Sequence, residues 1–117
     1  GDDIVELHRI VRRVPAADNV VKYAVRIVRS TRCRDPVAPD FVEQWVRWGA
    51  GPRAGQYLIL GAKARAILRG RFNAACEDVR AVAHSVLRHR ILTNFQAEAE
   101  GVNSDTIVDR LIENIPE

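Results

Sequence analysis

Residues 48–70 read Trp-Gly-Ala-Gly-Pro-Arg-Ala-Gly-Gln-Tyr-Leu-Ile-Leu-Gly-Ala-Lys-Ala-Arg-Ala-Ile-Leu-Arg-Gly. Gly49-Ala50-Gly51 is a turn, and Pro52 suits the first turn of a helix, where its missing N–H leaves nothing unsatisfied. Leu58, Ile59, Ala62, Ala66 and Ile67 then recur at helical spacing and mark the buried side of the longest helix in the chain. Gly70 stops it in the manner of a C-terminal glycine.

The flanking segments follow the same period. Upstream, Ile4, Leu7 and Val11, with Ile10 beside them, outline a weak amphipathic helix from Asp3 to about Arg13. It ends near Val14-Pro15, because the residue before a proline is pushed out of the helical region. Asp18 is the expected N-cap of a second helix reaching Thr31, with Val20, Val21, Ala24, Val25 and Val28 inward and Lys22, Arg26 and Arg29 outward. Arg32 to Pro36 reads as a polar loop. A third helix starts near Pro39, with Phe41, Val42, Trp45 and Val46 apolar, and breaks at Gly49.

Downstream, Cys76 to Arg88 forms a helix on Val79, Val82, Ala83, Val86 and Leu87, and a last helix follows Ser104 on Ile107, Val108, Leu111, Ile112 and Ile115. Ile91 to Phe95 reads as extended and is expected to pair with the segment near Val14. The fold class is therefore all-α: a small helical bundle with at most one short strand pair.

At 117 residues the chain is one domain, with 47% hydrophobic and 28% charged residues, which suits a packed globule and not a disordered tail. No apolar run approaches the roughly 20 residues that cross a bilayer, and no secretory signal pattern opens the chain. Cys33 and Cys76 form neither a disulfide framework nor a metal-ligand spacing, so a reducing cytoplasm is the expected compartment. Methionine is absent, and the start at Gly1-Asp2-Asp3 reads as a cut inside a longer protein.

The net charge of +3 is unevenly spread: residues 1–91 sum to +8 and residues 92–117 to −5. A basic body suits phosphate, whether in a nucleotide or a nucleic acid. Arginine-rich composition alone also explains it, since 16 of the 18 basic residues are Arg.

No phosphate-binding GxxxxGK[ST] loop, dinucleotide GxGxxG, GxSxG or HExxH motif is present, and no self-contained catalytic site is visible. His84 and His89 are five apart, off the spacing that puts two metal ligands on one helix face, and His89 suits a helix C-terminus. Arg88-His89-Arg90 reads the same way. Trp45 and Trp48 read as core or interface aromatics, the acids after Glu98 as a solvated face, and Cys76 as a small buried residue.

The informative position is Arg53. The first N–H groups of a helix are unsatisfied and carry partial positive charge, so an arginine there opposes the dipole by about 0.3–1 kcal/mol. Against that cost, its planar fork of donors makes the helix start an anion site matched to phosphate oxygens. Gly51 and Pro52 shape that start.

The ordered set of motifs resembles the C-terminal lid of MoxR-type AAA+ ATPases. Gly49-Ala50-Gly51-Pro52-Arg53-Ala54 with Leu58 to Ala66 looks like the sensor-2 helix. Gly70-Arg71-Phe72, Glu77-Asp78-Val79 and Val86 to Ile91 follow in the family's order, and Val11 to Pro15, Asp18, Tyr23 and Ala24 match the segment that opens the lid. The resemblance spans residues 4–114. Two departures stand out: Gly51 replaces a frequent serine, and Ala75-Cys76 replaces Ser/Thr-Pro, losing a capping hydroxyl at a cost of about 0.5–2 kcal/mol.

The resemblance implies a helical lid packed beside an αβα nucleotide-binding core that lies before Gly1. It implies that Arg53 is sensor 2, contacting the ATP γ-phosphate, in its own subunit or a neighbour. ATP and Mg²⁺ then belong to the parent protein, an ATPase, and neither is expected to bind this domain tightly; alone it is inert. The implied partners are the core, other subunits of a ring, client proteins remodelled in chaperone-like fashion, and a von Willebrand factor A-domain protein. The competing reading is a free-standing basic helical module binding nucleic acid through Arg53, Gln56, Lys63, Arg65 and Arg69.

Overall fold

The computed structural model describes the backbone of residues 2–117 and the side chains of residues 5, 6 and 9–117. Among them the order is α1 (Asp2–Arg13), α2 (Asp18–Ser30), α3 (Asp40–Trp45), β1 (Val46–Trp48), α4 (Arg53–Leu68), α5 (Cys76–Leu87), β2 (Leu92–Thr93), α6 (Phe95–Glu100) and α7 (Ser104–Asn114). The all-α bundle with one short strand pair is what the periodicity predicts.

The α4–α5 pair is the centre. Gly61 lets the two helices approach closely, since a Cβ there would sit 3.3 Å from Val82 Cγ2. Helix α2 packs on α4 and α5, and α7 on α5 and α2. The largest fully buried side chains are Tyr23, Ile27, Leu58, Leu87, Ile107 and Leu111. Helix α4 ends in a Schellman motif: Gly70 takes φ +74°, its N–H bonds Ile67 O at 2.9 Å, and Arg71 N–H bonds Ala66 O at 2.8 Å.

The start of α5 has no capping hydroxyl, but the carboxylate in its first turn still serves the N-cap backbone. Asp78, fully buried, accepts the Ala75 N–H at 2.8 Å, one half of a capping box. It also accepts Arg65 at 2.7 Å and Arg71 at 2.9 Å. Burial alone would raise this carboxyl; the hydrogen bonds from Arg71, the Ala75 N–H and Arg65 outweigh it and hold Asp78 below the usual carboxylate range.

Several expectations are corrected. In α1, Ile4 and Leu7 lie outside the described side chains; Val11 is buried as expected and Ile10 is exposed. Asp18 is the first helical residue of α2 and Ala17 the N-cap. Val21 and Val25 face outward, 40% and 46% exposed, because α4 and α5 pack on the stripe that carries Tyr23 and Ile27 instead. Helix α3 ends at Trp45, and Val46 to Trp48 are a strand, so Trp45 and Trp48 do not share a helix. Its partner is Leu92–Thr93, antiparallel, with Val46 opposite Thr93. The segment near Val14 pairs elsewhere, through an Ala16–Ala74 bridge with Ala74 N–H bonded to Pro15 O. Helix α6 was not expected; Asn94 caps it by accepting the Ala97 N–H, and Gly101 closes it at φ +76°.

Candidate functional site at the start of α4

Strand β1 leads directly into the Gly49-Ala50-Gly51 turn, and the turn is tied to the C-terminal end of α2. Thr31, fully buried, donates its hydroxyl to Val28 O at 2.6 Å and accepts the Ala50 N–H at 2.9 Å. Arg32 Nε donates to Ala50 O at 3.0 Å. Gly49 has no room for a side chain, since a Cβ would lie 2.3 Å from Thr31 O. Gly51 has open space around the position of a Cβ, and its carbonyl accepts the Ala54 N–H at 3.1 Å.

Pro52 then takes helical dihedrals, φ −59° and ψ −31°, and α4 begins without a side-chain cap and without an acidic residue in its first turn. Helices α2 and α3 also lack a side-chain cap but carry Asp18 and Asp40 in their first turns, while Asn94 and Asn103 cap α6 and α7. Arg53 is the first residue of α4 and is exposed, while Ala54 beside it is buried. Among the described residues no carboxylate pairs with Arg53. Next to it a cleft of about 560 Å³ is lined by Arg32, Arg34, Arg47, Trp48 and the glycine turn, with no acidic residue in its wall. The surroundings therefore favour an anion, and the guanidinium offers it a fork of donors.

Comparison with known proteins agrees with this architecture. The family model described as AAA lid domain matches residues 34–111. The chain belongs to the AAA lid domain family. It is 31% identical to Chaperone MoxR1 of Mycobacterium tuberculosis over 97% of its own length and 30% of that protein's. It is 30% identical to the protein YeaC of Bacillus subtilis, over 95% of its own length and 32% of the relative's. A crystal structure of a protein assigned as an ATPase from Cytophaga hutchinsonii superposes with a TM-score of 0.89 at 30% identity, covering 99% of this chain and 36% of that one. The chain thus spans about a third of the length of these relatives, and the resemblance to a MoxR-type lid holds.

Within this lid the other residues of interest have structural partners. His84 sits between Asp105 and Asp109, 2.9 and 2.8 Å from its two ring nitrogens, and Arg88 also bonds Asp105. The hydrogen bonds from His84 and Arg88 hold Asp105 below the usual carboxylate range. Arg90 bonds Val86 O and lies over the Tyr57 ring. His89 is exposed after α5. Trp45 donates to Glu100 and stacks under Arg110, whereas Trp48 is 65% exposed. Arg80 pairs with Glu117. The acidic C-terminal segment is therefore only partly a solvated face. Burial raises the Cys76 thiol, with Glu117 adding to it, which disfavours the reactive thiolate.

The basic face proposed for nucleic acid is interrupted, because Arg65 is committed to Asp78 and Glu77. Among the described residues no cluster of three or more His, Cys, Asp or Glu side chains fits a metal ion, and no helix is long and apolar enough to cross a membrane. Sequence reasoning singled out Arg53, Gly51 and Pro52 and placed Gly49 in the turn without its steric role, but missed Thr31 and Arg32. A Gly-x-Gly turn was the only visible signal, and it does not say which glycine is sterically required.

Proposed function

We propose that this domain is the lid of a MoxR-type AAA+ ATPase and that Arg53 is its sensor 2, reaching the γ-phosphate of ATP held by an αβα core in the rest of a longer protein. The observation that carries the reading is an arginine at an uncapped helix start, exposed and without a carboxylate partner among the described residues, beside an acid-free basic cleft. Most exposed positions in the first turn of a helix favour acids. Here the first turn has none.

The residues present fit the phosphate end of ATP: Arg53 supplies paired N–H donors, and the dipole of α4 adds partial positive charge on the same side. Among the described residues no cluster of carboxylates would hold Mg²⁺, and in this reading its ligands lie in the core. As negative charge builds on the transferring phosphoryl oxygens, the Arg53 guanidinium stabilises it. Because α4 packs closely on α5 through Gly61, a contact between Arg53 and the phosphate would tie the position of this helix pair, and so of the lid, to nucleotide state. In this reading the lid packs on its own core, the subunits assemble into a ring, and the motor remodels client proteins in the cytoplasm in chaperone-like fashion. A von Willebrand factor A-domain protein is the adaptor expected to recruit them.

Affinity for a non-hydrolysable ATP analogue and for ADP, measured on the full-length protein by calorimetry, tests the assignment. Arg53→Ala is expected to weaken the triphosphate analogue and spare ADP, which lacks the γ-phosphate. Equal loss for both nucleotides, or none for either, would count against a γ-phosphate contact.

A further inference from the structure

The reach of Arg53 is set by its backbone, and that backbone is held from one side. Between Ala50, which is buried, and Arg53 lie only Gly51 and Pro52, and the proline ring fixes its own φ. Ala50 is gripped at both of its backbone polar groups, its N–H by Thr31 Oγ1 at 2.9 Å and its carbonyl by Arg32 Nε at 3.0 Å. The Thr31 hydroxyl is itself oriented, because its proton goes to Val28 O at 2.6 Å, leaving a lone pair aimed at Ala50. Gly49 completes the grip: Thr31 O occupies the volume that any side chain at position 49 would need.

We infer that Thr31, at the C-terminal end of α2, is a positioning residue for Arg53 and acts through Ala50 without touching nucleotide; Arg32 Nε holds the same residue, while its guanidinium also lines the basic cleft. The inference rests on the reading of Arg53 as the phosphate-facing residue and adds how that residue is aimed. A buried threonine whose one proton and one lone pair are both used, on two different segments, is a joint between α2 and the turn. Removing the hydroxyl frees the turn and lets the start of α4 drift. Displacement of about 1 Å at a group that acts on a reacting centre costs up to about 10²-fold in rate. A long arginine side chain recovers part of that, so the expected loss is about tenfold.

The test uses ATP turnover by the full-length protein. Thr31→Val keeps shape and loses the hydroxyl; it is expected to lower kcat about tenfold while ADP affinity stays at the wild-type value. Thr31→Ser, which restores both hydrogen bonds, is expected to recover most of the rate. Introduced together with Arg53→Ala, Thr31→Val is expected to add no further loss, because a positioning residue has nothing left to position. A full additional tenfold loss in that background, or ADP affinity falling in step with kcat, would overturn the inference and make Thr31 a general stabiliser. Should Thr31→Val not fold, Thr31→Ala, which removes the same hydroxyl with less bulk, undergoes the kcat, ADP and Arg53→Ala comparisons and decides. If Arg53→Ala itself leaves turnover unchanged while the protein is folded, the phosphate reading is wrong and this inference goes with it.

Discussion

Asp78 is the most heavily engaged polar group of the core, and its removal gives the sharpest stability prediction. The carboxylate is fully buried and accepts from the Ala75 N–H, from Arg65 and from Arg71. Asp78→Ala removes the acceptor of the Ala75 N–H at the start of α5, a hydrogen bond worth about 1 kcal/mol. It also removes the charge-assisted hydrogen bonds of two arginines, one from Arg65 and a pair from Arg71, each bond worth about 1.5–3 kcal/mol when fully made. Both arginines stay partly exposed, with side-chain exposures of 24% and 34%, so water recovers much of what they lose. The net cost is about 2–4 kcal/mol, below the upper end for stranding a charge in a dry interior.

Asp78→Asn keeps an acceptor for Ala75 and loses the charge, so its cost is expected to be smaller, about 1–2 kcal/mol. Urea denaturation of the domain followed by circular dichroism reads both variants. The pH dependence supplies a second check. Because the folded-state pKa of Asp78 is depressed, its contribution is fully present above the unfolded pKa of about 3.9 and is lost as pH falls through the lower folded value. The gap between wild type and Asp78→Asn should therefore narrow on acidification below about pH 4. A loss under about 1 kcal/mol for Asp78→Ala, or an Asn variant as damaged as the Ala variant, would refute the reasoning.

Three smaller predictions follow from other elements. Gly70→Ala, at φ +74°, should cost about 1 kcal/mol in a thermal melt, since only glycine enters that region freely. Val25→Ser should change stability by less than about 0.5 kcal/mol despite its place in an apolar heptad-like run, because the side chain is exposed beside the α2–α4 groove; a core-sized loss would show it buried. Asp105→Asn should destabilise the α5–α7 contact at neutral pH, with the difference from wild type shrinking as pH falls through the depressed Asp105 pKa, measured by urea titration at a series of pH values.

What the sequence revealed and what it hid divide along a physical line. Helices α2, α4, α5 and α7 were legible because each carries an apolar stripe at helical period, and α4 has a clear stop at Gly70. The stripe does not say which flank of a wide apolar arc will be covered. In α2 the run Val20-Val21-Ala24-Val25-Val28 and the run Val20-Tyr23-Ala24-Ile27-Val28 are both plausible faces, and packing against α4 and α5 selected the second. Short elements were the weak point. Val46–Trp48 follows a helix with no turn signal, and its strand character comes from pairing with a segment 44 or more residues away. Helix α6 did carry a signal, Asn94 three residues before Ala97 and Gly101 at the end, but six residues are too few for periodicity to register.

The site divided in the same way. Arg53 was visible because it goes against the preference of a helix start, and such exceptions gather at functional positions. Thr31 and Arg32 were invisible because nothing in a linear sequence places the end of α2 against residue 50. Their contact is a product of the α2–α4 packing.

The central claim is that Arg53 acts on the phosphate of ATP, and the direct measurement is ATP turnover by the full-length protein with and without it. Arg53→Ala, with the fold verified by circular dichroism and the isolated 117 residues as a blank, is predicted to lower turnover about tenfold or more. Turnover equal to wild type in a folded variant would contradict the account and leave Arg53 as one more surface arginine.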